Sequence, residues 1–417
     1  MINTDLLHSS FLIFFFSTII VKITLLILNI KHVRLHYQQV PAQFQDIIKL
    51  DDHQKAQNYT IAKDKFSIFG TVLSGIVLLL WLETGLLNSL SQYIITLSQS
   101  ATMQGVLLIF AFSVINSIVG LPESLYSTFV LEEKFGFNKM TPVIFIKDLI
   151  KNFAVSSIIG LPFVYLVLKI LYTVGSSWWI YTWIFIITFQ FLMIWAYPKF
   201  IAPLFNKFSK LEDEALIGEV TKLSKRCDIN FTDYYIMNAS IRSSHGNAYF
   251  TGFGKNKRIV FFDTLLSSLT TNEVVSVLAH ELGHLKKKHI MKSIVISSLF
   301  LLLGLFVLGQ LYTSPALFEA FHIQAYEGYI SLLLFVLIAP FYTYLLTPIF
   351  SWSSRKNEFE ADEFAATHAS AKELISALLK MYKDNSSTLT PHPVYSKFYF
   401  SHPPAKERVD FLNSFDS

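Results

Sequence analysis

The chain has 417 residues, of which 52% are hydrophobic and 15% are charged. Its mean hydropathy of +0.45 excludes an ordinary soluble protein and indicates an integral membrane protein. The formal net charge is +4, and the basic residues follow the loops between apolar segments instead of forming a polyanion-binding patch, so we expect no nucleic-acid partner.

The apolar segments are long enough to cross a bilayer, which requires about 20 mainly apolar residues. The first has neither the basic region nor the cleavage site of a signal peptide, so it is interpreted as a retained span. The predicted spans cover approximately residues 10–30, 66–88, 104–122, 152–174, 178–198, 292–312 and 328–350.

Lysine and arginine are distributed unequally between the loops that join these spans. They are concentrated in residues 31–65, 123–151, 199–291 and 351–417, whereas the N-terminus and the loops on its side contain none. By the positive-inside rule, we expect the N-terminus outside and the C-terminus in the cytosol.

The longest predicted cytosolic segment combines helix and strand patterns. We expect a helix at EDEALIGEVTKLSKRC, a strand at TDYYIMN, and two strands around the turn GKNK in NAYFTGFGKNKRIVFFD. Thr270 and Glu273 have capping-box spacing ahead of VLAHELGHL, which predicts the start of another helix. Cys227 is the only cysteine; it excludes an intrachain disulfide and is interpreted as a small buried hydrophobe rather than a catalytic thiol.

His280 and His284 are four positions apart on the last of these helices, with Glu281 beside the first. Positions i and i+4 project from one face, so both imidazoles can bind a single metal ion. The alternative is a pair of helix histidines that contact nearby acids. His289 is about 180° around a regular helix from His280, which excludes it as a co-ligand. Zinc enzymes generally use three protein ligands, so a third ligand is needed besides the two histidines. We expect it to be a carboxylate from another helix.

The segment RKNEFEADEF contains the candidate carboxylates. Glu358 and Asp362 share one face of a predicted helix, whereas Glu360 points to the opposite side. We therefore expect Glu358 to bind the metal and Asp362 to orient an imidazole. An acidic solvated helix with salt bridges to Arg355 and Lys356 explains the same spacing equally well.

Several motifs occur in an order that resembles the Ste24 family of integral-membrane zinc CAAX prenyl proteases. The resemblance covers nearly the whole chain and implies an all-α polytopic membrane protein with seven helices around a large water-filled chamber. It also implies a gluzincin-like cytosolic domain of helices and a small β-sheet, with one Zn²⁺ ion bound by His280, His284 and Glu358. The motifs are EEKFGFNKMT, YPKFIAPLFNKF, NAYFTGFGKNKRIVFFDTLL, HELGH, SRKNEFEADEFA and YFSHPPAKERV.

The resemblance assigns roles to four further residues. Asn247 and Ala248 match a strand that holds the substrate backbone in an extended form, although an ordinary hairpin strand is the simpler explanation. His402 matches a histidine near the scissile carbonyl, and Arg408 matches a position beside the ligating acid. Without the resemblance, His402 would be a helix-start residue before two prolines.

We expect the chain to divide into four parts. Residues 1–198 contain spans one to five with their cytosolic loops, and 199–291 form the cytosolic catalytic region. Residues 292–350 contain the last two spans, and 351–417 complete the catalytic domain with the third zinc ligand. The implied chemistry is attack of a zinc-activated water on a peptide carbonyl, with Glu281 as general base and His402 near the developing oxyanion.

Polar residues inside the predicted spans are candidates for lining the chamber. They are Lys22, Glu83, Asn116, Lys169 and Gln190; alternatively, the two lysines extend to the membrane surface. The run from Lys286 to Lys288 is interpreted as a cytosolic anchor of the sixth span.

The predicted function is an endopeptidase that cuts near the C-terminus of prenylated or hydrophobic protein substrates. No long charged insert separates FFDTLL from VLAHELGH, which favours a compact bacterial-type member in the plasma membrane; a eukaryotic protein would lie in the endoplasmic reticulum. Quality control of membrane proteins is an alternative activity, and a metal-containing channel or scaffold is an alternative class. The oligomeric state is not predicted.

Overall fold

The computed structural model describes residues 3–229, 231–251 and 258–415. Most of these residues are helical, and one small sheet is present. The first helices are α1 (Thr4–Leu35), α2 (Leu50–Glu83), α3 (Leu86–Leu97), α4 (Ala101–Tyr126), α5 (Glu133–Phe135), α6 (Pro142–Thr173), α7 (Trp178–Ala196), α8 (Ala202–Phe205) and α9 (Glu214–Arg226). The remainder are α10 (Asp263–Ser268), α11 (Thr271–Lys286), α12 (His289–Leu311), α13 (Pro315–Glu319), α14 (Gly328–Thr343), α15 (Thr347–His368), α16 (Ala371–Asp384), α17 (Pro393–Tyr399) and α18 (Ala405–Asn413).

Within the described ranges, 7 helical segments are long and apolar enough to cross a membrane. They coincide with the predicted spans, so the predicted fold class of an all-α polytopic membrane protein is confirmed. Their bounds are Thr4–Leu35, Leu50–Glu83, Ala101–Phe135, Pro142–Thr173, Gly175–Phe205, His289–Leu311 and Gly328–His368.

The helices differ in extent from two of the predicted spans. The second span does not continue to residue 88 as one helix, because α2 ends at Glu83 and Gly85, with φ of 77°, precedes the separate helix α3. This left-handed conformation carries little cost at a glycine. The helix of the seventh span continues beyond residue 350, through a 3₁₀ turn, Tyr344–Leu346, into α15. The acidic segment therefore lies on the continuation of a spanning helix.

The sheet has the order β1-β2-β4-β3, with strands β1 (Phe208–Lys210), β2 (Asp233–Met237), β3 (Ala248–Thr251) and β4 (Arg258–Phe262). β4 pairs in parallel with β2 and antiparallel with β3. The expected strands are thus present, while the predicted turn GKNK lies outside the described residues. Among the strands that the structure describes, β3 pairs only with β4, so one of its edges is open.

A hydrophobic core joins this sheet to α9, α11 and α16. Its fully buried residues include Val220, Ile259, Ala279 and Leu282. Cys227 belongs to the same core and is 4% exposed. Burial raises the pKa of its thiol, so the interpretation of Cys227 as a small buried hydrophobe is confirmed.

Candidate metal centre

The N-terminus of α11 is fixed by the predicted capping box. The Thr270 hydroxyl accepts a hydrogen bond from the backbone N–H of Glu273, and the Glu273 carboxylate accepts one from the N–H of Thr270. The buried carboxylate also accepts hydrogen bonds from Ser376 and Lys380 of α16. Burial alone would raise the pKa of Glu273, but these hydrogen bonds outweigh it and lower the pKa below its ordinary value.

A close approach of α11 and α15 brings the candidate ligands together. A Cβ atom added at Gly283 would lie 2.8 Å from the Cα of Ala361, which is itself fully buried. Only a residue without a side chain therefore allows this helix separation. Gly283 lies between His280 and His284, and Ala361 lies one turn from Glu358, so the contact sets the distance between the histidines and the acid.

Three side chains converge at this crossing. Nε2 of His280 lies 3.2 Å from Nε2 of His284 and 3.4 Å from Oε2 of Glu358. Nε2 of His284 lies 3.3 Å from Oε1 of Glu358. Tetrahedral zinc with ligands at about 2.0–2.1 Å separates its ligand atoms by about 3.3 Å. The observed separations fit one such ion.

The electrostatics of these residues also fit a cation. Glu358 is 3% exposed, and its Oε2 has the imidazole nitrogens of His280 and His402 at 3.4 and 2.7 Å. Burial and the charge of Arg408 oppose protonation of His280, but hydrogen bonds to Asp362 and Glu358 outweigh them and raise the pKa of the imidazole. A buried carboxylate surrounded by imidazoles and a raised imidazole pKa both indicate a place that favours positive charge.

Asp362 and Arg408 lie behind His280. Oδ1 of Asp362 is 2.8 Å from Nδ1 of His280, and Arg408 donates two hydrogen bonds to the same carboxylate, at 2.8 and 2.5 Å. Arg408 also lies beside the ligating acid, as expected, with Nη1 3.8 Å from Oε2 of Glu358. The bidentate geometry of guanidinium and carboxylate explains why Asp362 is its principal partner.

The alternative of a solvated acidic helix predicted salt bridges to Arg355, but the structure shows other partners for this residue. Its guanidinium donates to the backbone carbonyls of Lys397 and Phe400, at 3.0 and 2.8 Å. These bonds attach the segment after α17 to α15. His402 follows in that segment, and its Nδ1 lies 2.7 Å from Oε2 of Glu358. Arg355 thus helps to place His402 next to the proposed ligand.

A cavity of about 700 Å³ opens in front of the convergent ligands. Its lining includes His280, Glu281, Asn247, His402 and Arg408. Ala248 is buried in the core instead and is not among the residues that line the cavity. The residues singled out from separate motifs therefore meet around one cavity.

The open edge of β3 has a defined hydrogen-bonding register. The Asn247 carbonyl accepts from the N–H of Phe262 on β4, and its side-chain Oδ1 accepts from the N–H of Ala248. Backbone groups alternate in direction along a strand, so the carbonyl of Ala248 and the N–H and carbonyl of Phe250 point away from β4. An extended peptide could pair with these groups.

His289 is closer to the site than a regular helix predicts. α11 ends at Lys286, Lys288 has a left-handed φ of 57°, and α12 begins at His289. Nδ1 of His289 consequently lies 2.9 Å from Nδ1 of His284. The premise of an unbroken helix is wrong, although His289 does not belong to the convergent ligand set. Lysine favours helices, so the run of lysines gave no local signal of this break.

The polar residues of the spans have different positions. Lys22 lines a second cavity, of about 450 Å³, together with Glu123, Tyr395 and Tyr399, and both tyrosines also line the larger cavity. Glu83 instead contacts His8, with Nε2 to Oε2 at 3.1 Å. Lys169 is exposed. Lys22 is therefore the predicted chamber residue with the most direct support.

An HExxH helix, a buried acid on a neighbouring helix and seven candidate spans together define the class of membrane metallopeptidases. Residues 29–207 match the family model described as CAAX prenyl protease N-terminal, five membrane helices. Residues 210–416 match the model of peptidase family M48.

Individual relatives agree with these models. The chain is 35% identical to CAAX prenyl protease 1 of Saccharomyces cerevisiae, over 91% of this chain and 90% of that protein. It is 34% identical to the CAAX prenyl protease 1 homolog of Homo sapiens, over 90% of this chain and 89% of that protein. The crystal structure of S. mikatae Ste24p has a TM-score of 0.91 and 31% identity, and the match covers 99% of this chain and 100% of that chain.

The chain belongs to peptidase family M48, and it is a membrane metallopeptidase of the CAAX prenyl protease type. The resemblance stated from the sequence motifs is thereby confirmed. Its substrates are peptides or proteins, and it acts in a membrane environment.

Proposed function

We propose that this enzyme hydrolyses peptide bonds near the C-terminus of prenylated or otherwise hydrophobic substrates. The observation that carries the proposal is the convergence of His280, His284 and Glu358, of which His280 lines the same cavity as Glu281. A structural metal site is closed by four protein ligands, whereas a catalytic site keeps a position open for water. The described residues provide three ligands and an adjacent general base.

Zinc is the metal that these ligands suit best. Two imidazole nitrogens and one carboxylate oxygen are a catalytic zinc set, and the separations of 3.2 to 3.4 Å agree with its geometry. When bound, the ion supplies a Lewis acid that activates water and polarises the peptide carbonyl.

The chain's own groups supply the remaining steps. Glu281 is the general base that takes a proton from the attacking water and returns it to the leaving amine. His402 lies on the same cavity and is placed to donate a hydrogen bond to the developing oxyanion. The edge of β3 beside Asn247 holds the substrate backbone extended, so that successive residues of the chain reach the same cavity.

The membrane setting supports a substrate that is attached to lipid. The cavity beyond Tyr395 and Tyr399 lies between α1 and α2, two of the candidate spans, and the related proteins of yeast and human are named CAAX prenyl proteases. We place the site on the cytosolic side because of the loop charges. Because the connection before α11 is short, we propose that the protein is of the bacterial type and lies in the plasma membrane.

A cleavage assay tests the substrate class. Purified full-length enzyme is given a farnesylated CAAX peptide and its unprenylated twin, and the kcat/KM values are compared. The proposal predicts faster cleavage of the farnesylated peptide, loss of activity with a chelator, and recovery with zinc. Equal cleavage of both peptides would favour a general membrane-protein protease, and bound metal without any cleavage would favour a channel or scaffold.

Glu281→Gln tests the assignment of the general base. Because the carboxylate is not a proposed ligand, we expect zinc content at the wild-type level and a loss of kcat on the order of 10²–10⁴-fold. Glu363→Gln, an exposed acid on α15, is the matched control and should retain activity. Wild-type turnover by Glu281→Gln would contradict the mechanism.

A further inference from the structure

The second proposed ligand, His284, has an outer partner that the HExxH motif does not contain. His289 is the first residue of α12 and is 3% exposed. Its Nδ1 lies 2.9 Å from Nδ1 of His284, and its Nε2 lies 3.1 Å from Oε2 of Glu360 on α15. The three side chains form a continuous row from α11 through α12 to α15.

The proton positions along this row follow from the metal site. When His284 binds a cation through Nε2, its Nδ1 carries the hydrogen. This N–H can donate only if Nδ1 of His289 is an unprotonated acceptor, so the hydrogen of His289 lies on Nε2 and is donated to Glu360. The opposite tautomer of His289 would bring two N–H groups together. It would also point the unprotonated Nε2 of His289 at the Glu360 carboxylate, which has no hydrogen to donate.

We infer that His289 and Glu360 are positioning residues that fix the tautomer and ring orientation of His284 for metal binding. The inference rests on the proposed ligand set. Ligating imidazoles generally donate their second N–H to a carboxylate or carbonyl. Here His284 donates to His289 instead, and His289 in turn donates to the Glu360 carboxylate. Glu360, which points away from the ligand face of α15, thus has a role in orienting His284.

The two proposed imidazole ligands are thus oriented by different means. His280 contacts Asp362 directly, and that carboxylate is fully buried and paired with Arg408. His284 depends on a neutral imidazole and on Glu360, whose side chain is 39% exposed. Since His289 begins a candidate membrane span, the orientation of His284 depends on how that span joins the cytosolic domain.

Zinc binding by the full-length protein tests the inference. Metal-free wild type, His289→Ala, Glu360→Gln and Glu363→Gln are titrated with zinc against a chromogenic chelator, and the unfolding temperature of each metal-free protein is measured. Glu363→Gln makes the same charge change on α15 at an exposed position. His284→Ala is included to test the ligand set itself.

We expect His289→Ala and Glu360→Gln to bind zinc about 10- to 100-fold more weakly than wild type. Their metal-free unfolding temperatures should equal that of the wild type, and Glu363→Gln should bind zinc normally. Wild-type zinc affinity in His289→Ala or Glu360→Gln would overturn the inference, as would weaker binding that is accompanied by a lower metal-free unfolding temperature. Retention of zinc by His284→Ala would instead refute the proposed ligand set.

Discussion

Nδ1 of His280 lies 2.8 Å from Oδ1 of Asp362, and this carboxylate is held on its other side by two hydrogen bonds from Arg408. Arg408 also approaches Nδ1 of His280, at 3.3 Å, but a guanidinium can only donate. The shorter contact therefore assigns the proton of Nδ1 to the bond with Asp362. Nε2 of His280 is then left free to face the metal, so a buried ion pair determines the orientation of a proposed ligand.

Replacement of Asp362 by Asn should weaken zinc binding. The amide offers Arg408 less charge and His280 a weaker acceptor, so we expect zinc affinity and kcat/KM to fall about 10- to 100-fold. Zinc titration and the peptide cleavage assay measure the two effects. Asp410→Asn, at an exposed position of α18, is the control; equal behaviour of both variants would show that Asp362 does not orient the ligand.

Gly283→Ala should separate α11 from α15. The added Cβ would lie 2.8 Å from the Cα and 3.1 Å from the carbonyl oxygen of Ala361, so backbone must move. We expect a loss of about 1–3 kcal/mol in stability together with weakened zinc binding. In contrast, Gly218→Ala on α9 meets open space and should stabilise its helix by up to about 1 kcal/mol. Normal zinc binding by Gly283→Ala would disprove the role of this close approach.

The stability that Glu273 contributes should depend on pH. Its pKa in the folded protein is lowered, so the contribution is complete above the ordinary carboxyl pKa of 4.5 and is lost as the pH falls through the lowered value. At neutral pH, Glu273→Gln should cost about 1.5–3 kcal/mol, because a charged hydrogen bond to Lys380 is lost.

The measurement is the free energy of unfolding of both proteins from pH 7 to pH 3. The difference between them should stay constant above about pH 5 and shrink below it. Glu219→Gln removes only an exposed pair with Lys222 and should cost at most about 1 kcal/mol. A difference between wild type and Glu273→Gln that does not change with pH would contradict the assignment.

Pairing of the substrate with the edge of β3 should produce an alternating pattern of sensitivity. A series of peptides, each with one N-methylated backbone amide, is compared for kcat/KM. Methylation should impair cleavage at alternate residues, because successive N–H groups of a strand point in opposite directions. A uniform effect at every residue would indicate that the substrate does not extend along Ala248 and Phe250.

Local patterns accounted for several elements of this site before the fold was considered. The capping box at Thr270, the shared face of His280 and His284, and the strands on each side of GKNK depend on residues that are close in sequence. Such features repeat with the helix or strand period. The same rule correctly excluded His289 from the ligand set but not from contact with His284, because the rule assumes an unbroken helix and Lys288 interrupts it.

The membrane class, the number of spans and the pair of histidines that can share a metal follow from the sequence alone, because apolar length and the i, i+4 spacing are local properties. The folded structure was needed to choose between a ligating Glu358 and a solvated acidic helix, and to show that Arg408 pairs with Asp362 and that His289 reaches His284. These contacts depend on the crossing of α11 and α15 at Gly283 and Ala361 and on the break before α12. Both arise from packing between segments that are far apart along the chain, which residue spacing does not encode.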